Sequence, residues 1–261
     1  MALVSIIMPV YNCAMFISEA VDSVLSQTIM DWELEIVDDC STDNTYDVLR
    51  PYLDKYQNIH YSCLEQNSGP AAARTEAIRR ASGRYIAFID SDDIWHPQKL
   101  EKQIKFMQEN GTNFSCTAYS QIDENGGPLG YICYPPEKTD YKKMLRLSNP
   151  IGNTTVIYDQ QELGKYEVPP IKKRNDFALW LKILKDTREC AGIQEILAYY
   201  RIRPNSVSSN KLGQAKYHWQ LYHDIEQLGF IRSSFYLLCW AFVKGTGIGL
   251  NRKKYNIEEM K

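Results

Sequence analysis

Through roughly its first hundred residues the chain alternates short β-branched runs with amphipathic helical patterns, and few folds accept that alternation. VSIIMPV reads as a first strand. Ile17, Ala20, Val21, Val24 and Leu25 then share one helical face, and WELEIV forms a second strand that ends at Asp38 and Asp39. A helix from about Thr42, whose hydroxyl can cap it, leads to the strand IHYSCL. A helix after Gly69-Pro70 leads to RYIAFI, and Pro97 opens another with Leu100, Ile104 and Met107 as its apolar stripe. Such βαβ units predict an α/β class: a Rossmann-like mixed sheet flanked by helices. Ligands of these sheets sit beyond the carboxyl ends of the strands, where Tyr11, Asp39, Asn67 and Asp90 fall.

After a strand from Phe114 to Ile122 the alternation decays into turns such as DENGGP and YPPEK. A helix from Asp176, with Leu179, Trp180, Ile183 and Leu184 buried, precedes the strand IQEILAYYRI, and the chain from Lys211 reads as mostly helical. The expected organisation is an α/β half over 1–122, a differently built half of the same domain over 123–210, and a helical C-terminal extension over 211–261. Charge narrows the partners: 30 Lys and Arg against 32 Asp and Glu give no global field for nucleic acid. Seven scattered cysteines without a Cys-x-x-Cys pair indicate neither a disulfide framework nor zinc, and a reducing cytoplasm is the simplest compartment.

The chemistry concentrates in YIAFIDSDDIWHP, where a buried strand runs into Asp90, Asp92 and Asp93. Clustered carboxylates repel, and a hard cation with oxygen ligands, Mn²⁺ or Mg²⁺, relieves that repulsion while completing its shell with substrate phosphates. This pattern points to a nucleoside diphosphate. The competing reading is a solvated turn whose acids meet the dipole of the next helix.

Four segments in order, SIIMPVYN, IVDDCSTDNT, NSGPAAART and FIDSDDIWHP, together with RNDFALWL and YYRIRPNSVS, resemble glycosyltransferase family 2 over about residues 3–210. The resemblance implies the type A fold and an inverting, nucleotide-sugar-dependent, metal-assisted transferase. It assigns donor contacts to Tyr11, stacked on a base, and to Asp39, accepting the base N3–H. Pro9, Asp38, Asn67, Arg74, Asp90 and Ser91 lie alongside, Asp92 and Asp93 take the metal, and Arg201 and Arg203 close over the diphosphate. Asp176 matches the family's catalytic base, although Asn175 stands where relatives carry an acid and Thr75 follows Arg74 where many have Asn. The donor expected is a UDP-sugar and the acceptor a carbohydrate or lipid-linked saccharide of surface polysaccharide synthesis. Two rivals are a sugar nucleotidyltransferase and a non-catalytic nucleotide-sugar-binding module.

The stretch from Phe230 to Lys254 is apolar and aromatic, with Phe235, Leu238, Trp240 and Phe242, but Arg232 and Lys244 bound an uncharged run too short to span a bilayer. Two expectations stand: a helix docked on the core, or a segment lying at the inner membrane face with Arg252, Lys253 and Lys254 on anionic lipid.

Overall fold

The computed structural model describes residues 2–147, 149–203, 213–246 and 252–255. The later part of YYRIRPNSVS, beyond Arg203, lies outside them. In chain order the elements are β1 (Val4–Val10), α1 (Ile17–Leu25), β2 (Trp32–Asp38), α2 (Thr45–Lys55), β3 (Ile59–Cys63), α3 (Pro70–Arg80) and β4 (Tyr85–Phe88). Next come β5 (Ile94–Trp95), α4 (Lys99–Asn110), β6 (Phe114–Ile122), β7 (Pro128–Cys133), β8 (Lys138–Asp140) and α5 (Tyr141–Leu147). After a 3₁₀ turn at Asn153–Thr155 follow β9 (Ile157–Asp159), α6 (Gln160–Leu163), α7 (Asn175–Thr187) and β10 (Glu189–Arg201). Helix α8 (Gln214–Gln220) runs on through a π turn, and α9 (Gly229–Thr246) and β11 (Arg252–Lys254) complete the described chain.

The expected mixed sheet flanked by helices is present, in the order β11-β7-β6-β9-β4-β1-β2-β3. Strands β4, β1, β2 and β3 are parallel, as βαβ crossovers require, whereas β9 lies antiparallel between β4 and β6. Strand β10 pairs with β5, β6 and β8. Both faces of the sheet are covered, which explains why β1 is apolar at every position but Ser5. Its period of two sends Ile6 and Met8 into a core with Val21, Val24, Leu100 and Ile104. Ile7 enters the opposite core with Ala73, Ala77, Phe88 and Trp180.

Helix α2 begins at Thr45, not near Thr42. Asp43, rather than Thr42, holds that first turn, its Oδ1 accepting from the Thr45 amide at 3.1 Å and hydroxyl at 2.5 Å. The C-terminal region is helical in α8 and α9 but returns as a strand: β11 pairs antiparallel with β7, and Arg252 and Lys253 lie over the rings of Tyr131 and Tyr134. Helix α9 docks through Ser233 and Val243, and Trp240 faces His218 at 4.5 Å between ring centroids. No helix among the described residues is long and apolar enough to cross a membrane.

Candidate active site

The parallel strands deliver their loops to one end of the sheet, and hydrogen bonds stitch those loops together. Asn12, in the left-handed region at φ 47°, takes the Thr42 amide on its side-chain oxygen at 2.7 Å and donates its own amide to Ser41 Oγ at 2.9 Å. The amides of Cys13 and Ala14 go to Thr45 and Asp43. With its following backbone clamped this way, Tyr11 is left half exposed at the mouth of the site. Pro9 is buried in β1 just beyond the last β1–β4 pair, Ile7 with Phe88, where the missing N–H breaks no ladder bond to β4.

The two acids after β2 have structural duties. Asp38 accepts from the Ser41 amide and hydroxyl on one oxygen and from Tyr61 on the other, so it shapes the turn from inside. Asp39 accepts the amides of Ser68 at 2.6 Å and Gly69 at 2.8 Å, and Asn67 donates to its carbonyl. This draws the 67–69 loop to the end of β2. Gly69, at φ 87°, makes the turn that places Pro70 at the start of α3. Two of the four or so lone-pair sites on the Asp39 carboxylate are thereby used.

Two acids of the 90–93 cluster pair with an arginine side chain, and the third with a backbone amide. Arg74 Nη2 donates to Asp90 Oδ1 at 2.6 Å, beside Asn153 at 2.8 Å. Arg203 Nη2 meets Asp92 Oδ2 at 2.7 Å. Asp93 is fully buried and accepts the Arg201 amide at 2.9 Å. Burial, with Asp92 and Asp90 adding, pushes the Asp93 carboxyl well above the usual range. For Asp92, burial outweighs the pull of Arg203, Asp90 adds to it, and the carboxyl is raised. Ser91 is nearly buried, its carbonyl accepting from the Cys13 thiol.

Asp93 anchors β10 from within the protein. Arg201, buried, spends its guanidinium on Glu19 at 2.6 Å and on the carbonyls of Asp92, Asp123 and Glu124. Arg203 remains at the mouth, and the ring of Phe16 lies 5.1 Å from both guanidinium groups. The buried Nε atoms of Arg74 and Arg203 have no hydrogen-bond partner.

Asp176 lies in the first turn of α7, where the helix dipole favours an anion, and accepts from Asn149 at 2.9 Å. Its neighbour Asn175 is buried and accepts from Arg74 Nη1 at 2.5 Å. Arg74 therefore bridges Asp90 to the start of α7, 101 residues later in the chain. Thr75 has its own use, accepting the Val168 amide at 3.0 Å. Sequence reasoning missed Glu19, Asn149 and Asn153; the Asn-Pro and Gly-Asn turn of NPIGN was the available signal for the last two.

A groove of about 820 Å³ lies between the loop and start of α3, Asn67 to Ala72, and Glu167, Val168, Pro170, Ile171 and Lys172; none of the clustered aspartates lines it. Among the described residues, Glu33, Glu35 and His60 are close enough to share a cation, but they sit near the opposite ends of β2 and β3. Glu33 already accepts from Ser5 and Ser82, and Glu35 is paired with Arg80 and His60.

The model for glycosyl transferase family 2 matches residues 5–161, which include the loops after β1, β2, β3 and β4 but not Asp176 or Arg203. The chain belongs to this family. Among curated family 2 relatives, TuaG of Bacillus subtilis, named for teichuronic acid biosynthesis, is 45% identical over 242 residues, 93% of this chain and 94% of its own. WfgD of Escherichia coli, named a UDP-Glc:α-D-GlcNAc-diphosphoundecaprenol β-1,3-glucosyltransferase, is 40% identical, covering 92% and 93%. Among solved structures, Staphylococcus aureus TarS 1–349 in complex with UDP-GlcNAc superposes with a TM-score of 0.70 at 24% identity, over 86% of this chain and 65% of that one. The family fold is thus shared well beyond recognisable sequence.

Proposed function

We propose that the protein is an inverting, metal-assisted transferase that moves a sugar from UDP to a saccharide or lipid-linked saccharide acceptor in cell-surface polysaccharide synthesis. The observation that carries this reading is the Arg74 bridge, because it ties the acid of the donor end, Asp90, to the helix that presents Asp176. The names of TuaG and WfgD support the pathway class and the donor. Family membership decides against the nucleotidyltransferase alternative.

The donor set suits a hard divalent cation, since Asp92 carries a carboxylate at the mouth that burial and Asp90 destabilise and that one arginine balances. Bound by Asp92, Mn²⁺ or Mg²⁺ would supply Lewis-acid charge against a departing diphosphate. Arg203 and Arg74, held by Asp92 and Asp90, would place fixed positive charge beside the same anion. Tyr11 offers a ring face to the base, and Asp39 a remaining acceptor for its N3–H. Asp176 holds the proton that the acceptor hydroxyl loses as it attacks, with Asn149 fixing the carboxylate's orientation. One base and one displacement give inversion at the anomeric carbon.

Purified protein with Mn²⁺, a panel of UDP-, GDP- and dTDP-sugars and saccharide-diphospholipid analogues should release UDP only when acceptor is present, with inverted product by NMR. Asp176→Asn should bind UDP-sugar within about twofold of wild type and lose turnover about a thousandfold. Donor binding without turnover by the wild type would return the protein to a binding module.

A further inference from the structure

Two cysteines meet at the end of the sheet that carries the acidic turns. Strand β3 pairs with β2 so that Cys63 lies opposite Asp38, and the Leu64 amide donates to the Asp38 carbonyl at 2.8 Å. Two residues beyond Asp38, Cys40 takes φ 60°, a left-handed backbone that residues with a side chain seldom adopt, as the turn folds back over the end of β3. Both thiols donate to one acceptor, the Leu64 carbonyl, Cys40 from 2.7 Å and Cys63 from 3.4 Å, and each lies within hydrogen-bond reach of the other. Cys63 is exposed and Cys40 partly so. A second pair, Cys116 and Cys190, brings its sulfurs to 3.7 Å, but both residues are sealed in the core. Cys40 and Cys63 are the pair that joins proximity to access.

From this juxtaposition we infer that Cys40 and Cys63 form a redox modification site, closed to a disulfide by a peroxide and reopened by a dithiol reductant. The exposed Cys63 thiolate attacks one oxygen of hydrogen peroxide, the O–O bond breaks, and the departing hydroxide takes up the thiol proton as water, leaving a sulfenic acid on Cys63. The Cys40 sulfur then attacks the Cys63 sulfur and displaces its oxygen, which leaves with the Cys40 thiol proton as a second water. Two thiols and one peroxide thus give one cystine and two waters. The surroundings divide the roles. Burial, then Cys63 and the carboxylates of Asp39 and Asp38, push the Cys40 thiol up, which makes it the poorer target for peroxide, yet its attack on the neighbouring sulfur needs no encounter. The site also has a consequence, and here alone the inference rests on the donor contact of Asp39 proposed above. Asp39 immediately precedes Cys40 and holds Ser68 and Gly69, while the two thiols hold Leu64 at the other end of the same loop. Closing the disulfide removes both donors from the Leu64 carbonyl and fastens the acidic turn to β3, which displaces Asp39 from the position in which it would meet a base.

The test uses the whole chain, reduced, freed of reductant and treated with hydrogen peroxide. Non-reducing peptide mapping should find the segments of Cys40 and Cys63 joined within a monomer lighter by two hydrogens, with Cys116 and Cys190 still free, and dithiothreitol should restore both thiols. Cys40→Ser should stop at a sulfenic acid on Cys63 that dimedone traps, and Cys63→Ser should form no cystine at Cys40. Both variants should keep the circular dichroism of wild type. By calorimetry, oxidised wild type should bind UDP-sugar about tenfold more weakly than reduced wild type, whereas Cys63→Ser should bind alike before and after peroxide. Cys63 that passes to the sulfinic acid while Cys40 stays free, a cystine at another pair, or a disulfide-linked dimer overturns the site. A mapped Cys40–Cys63 cystine with unchanged UDP-sugar affinity overturns the consequence drawn for the donor. Reduced protein that binds no UDP-sugar would instead defeat the transferase reading, and the mapping, which requires no ligand, would show the site separately.

Discussion

Asp92 and Asp93 are adjacent in the chain, yet one carboxylate opens toward Arg203 at the mouth and the other is sealed beneath the β10 backbone. Asp92→Ala should leave the melting temperature nearly unchanged and lower kcat/KM about a hundredfold, equivalent to about 3 kcal/mol of transition-state stabilisation. Asp93→Ala should act in reverse order, costing about 2 kcal/mol of stability in urea denaturation because the Arg201 amide loses its buried acceptor. Equal thermal loss in both variants would refute this division. Asn175 carries a second prediction. As a neutral acceptor it leaves Asp90 as the carboxylate paired with Arg74 among the described residues. Asn175→Asp should add a negative charge beside Asp176 and move the acidic limb of the kcat/KM profile to higher pH, while the conservative Asn175→Gln should not. The motif residues were legible because strand ends and acidic turns are local patterns. Their partners were not, since nothing near Arg74 announces Asn175, and nothing in YYRIR says that Arg201 turns inward while Arg203 stays at the mouth.

Among the elements, α8 carries an acid-sensitive group. His218 is buried among Phe177, Tyr222 and Trp240 with neither ring nitrogen hydrogen-bonded, and burial, with Arg174 and Lys244 adding, lowers its pKa to about 3. An unfolded histidine titrates near 6.5, so this group's contribution is complete above about pH 6.5 and is lost as pH falls toward the folded value. Urea denaturation at about pH 7.5 and about pH 5 should show roughly 2 kcal/mol of acid destabilisation that His218→Phe removes. In β10, Gly192 faces the Pro136 carbonyl so closely that a Cβ would collide with backbone, and Gly192→Ala should cost about 2 kcal/mol or more in the same assay. Long periodic elements such as β1, α4 and α7 could be read from sequence. The two- and three-residue strands β5, β8, β9 and β11 could not, because so short a run has no period and exists only where a partner strand meets it.

At the scale of the molecule, Arg201 fastens together parts that the sequence presents as separate: α1 through Glu19, the acidic cluster through the Asp92 carbonyl, and the β6–β7 turn. Arg201→Met should lower global stability by about 3 kcal/mol, with loss of activity following the unfolded fraction, and Arg201→Lys should rescue little because one ammonium cannot span these acceptors. The sheet order has a temporal consequence. Strand β9 fills the place between β4 and β6 although it is made some 35 residues after β6 ends, an interval set by Ile122 and Ile157. A ribosome therefore releases β4 and β6 as open, apolar edges and leaves them waiting, the situation in which strands pair with the wrong neighbour. A chain halted between those positions should be a substrate for chaperones and proteases rather than a free nucleotide-binding half.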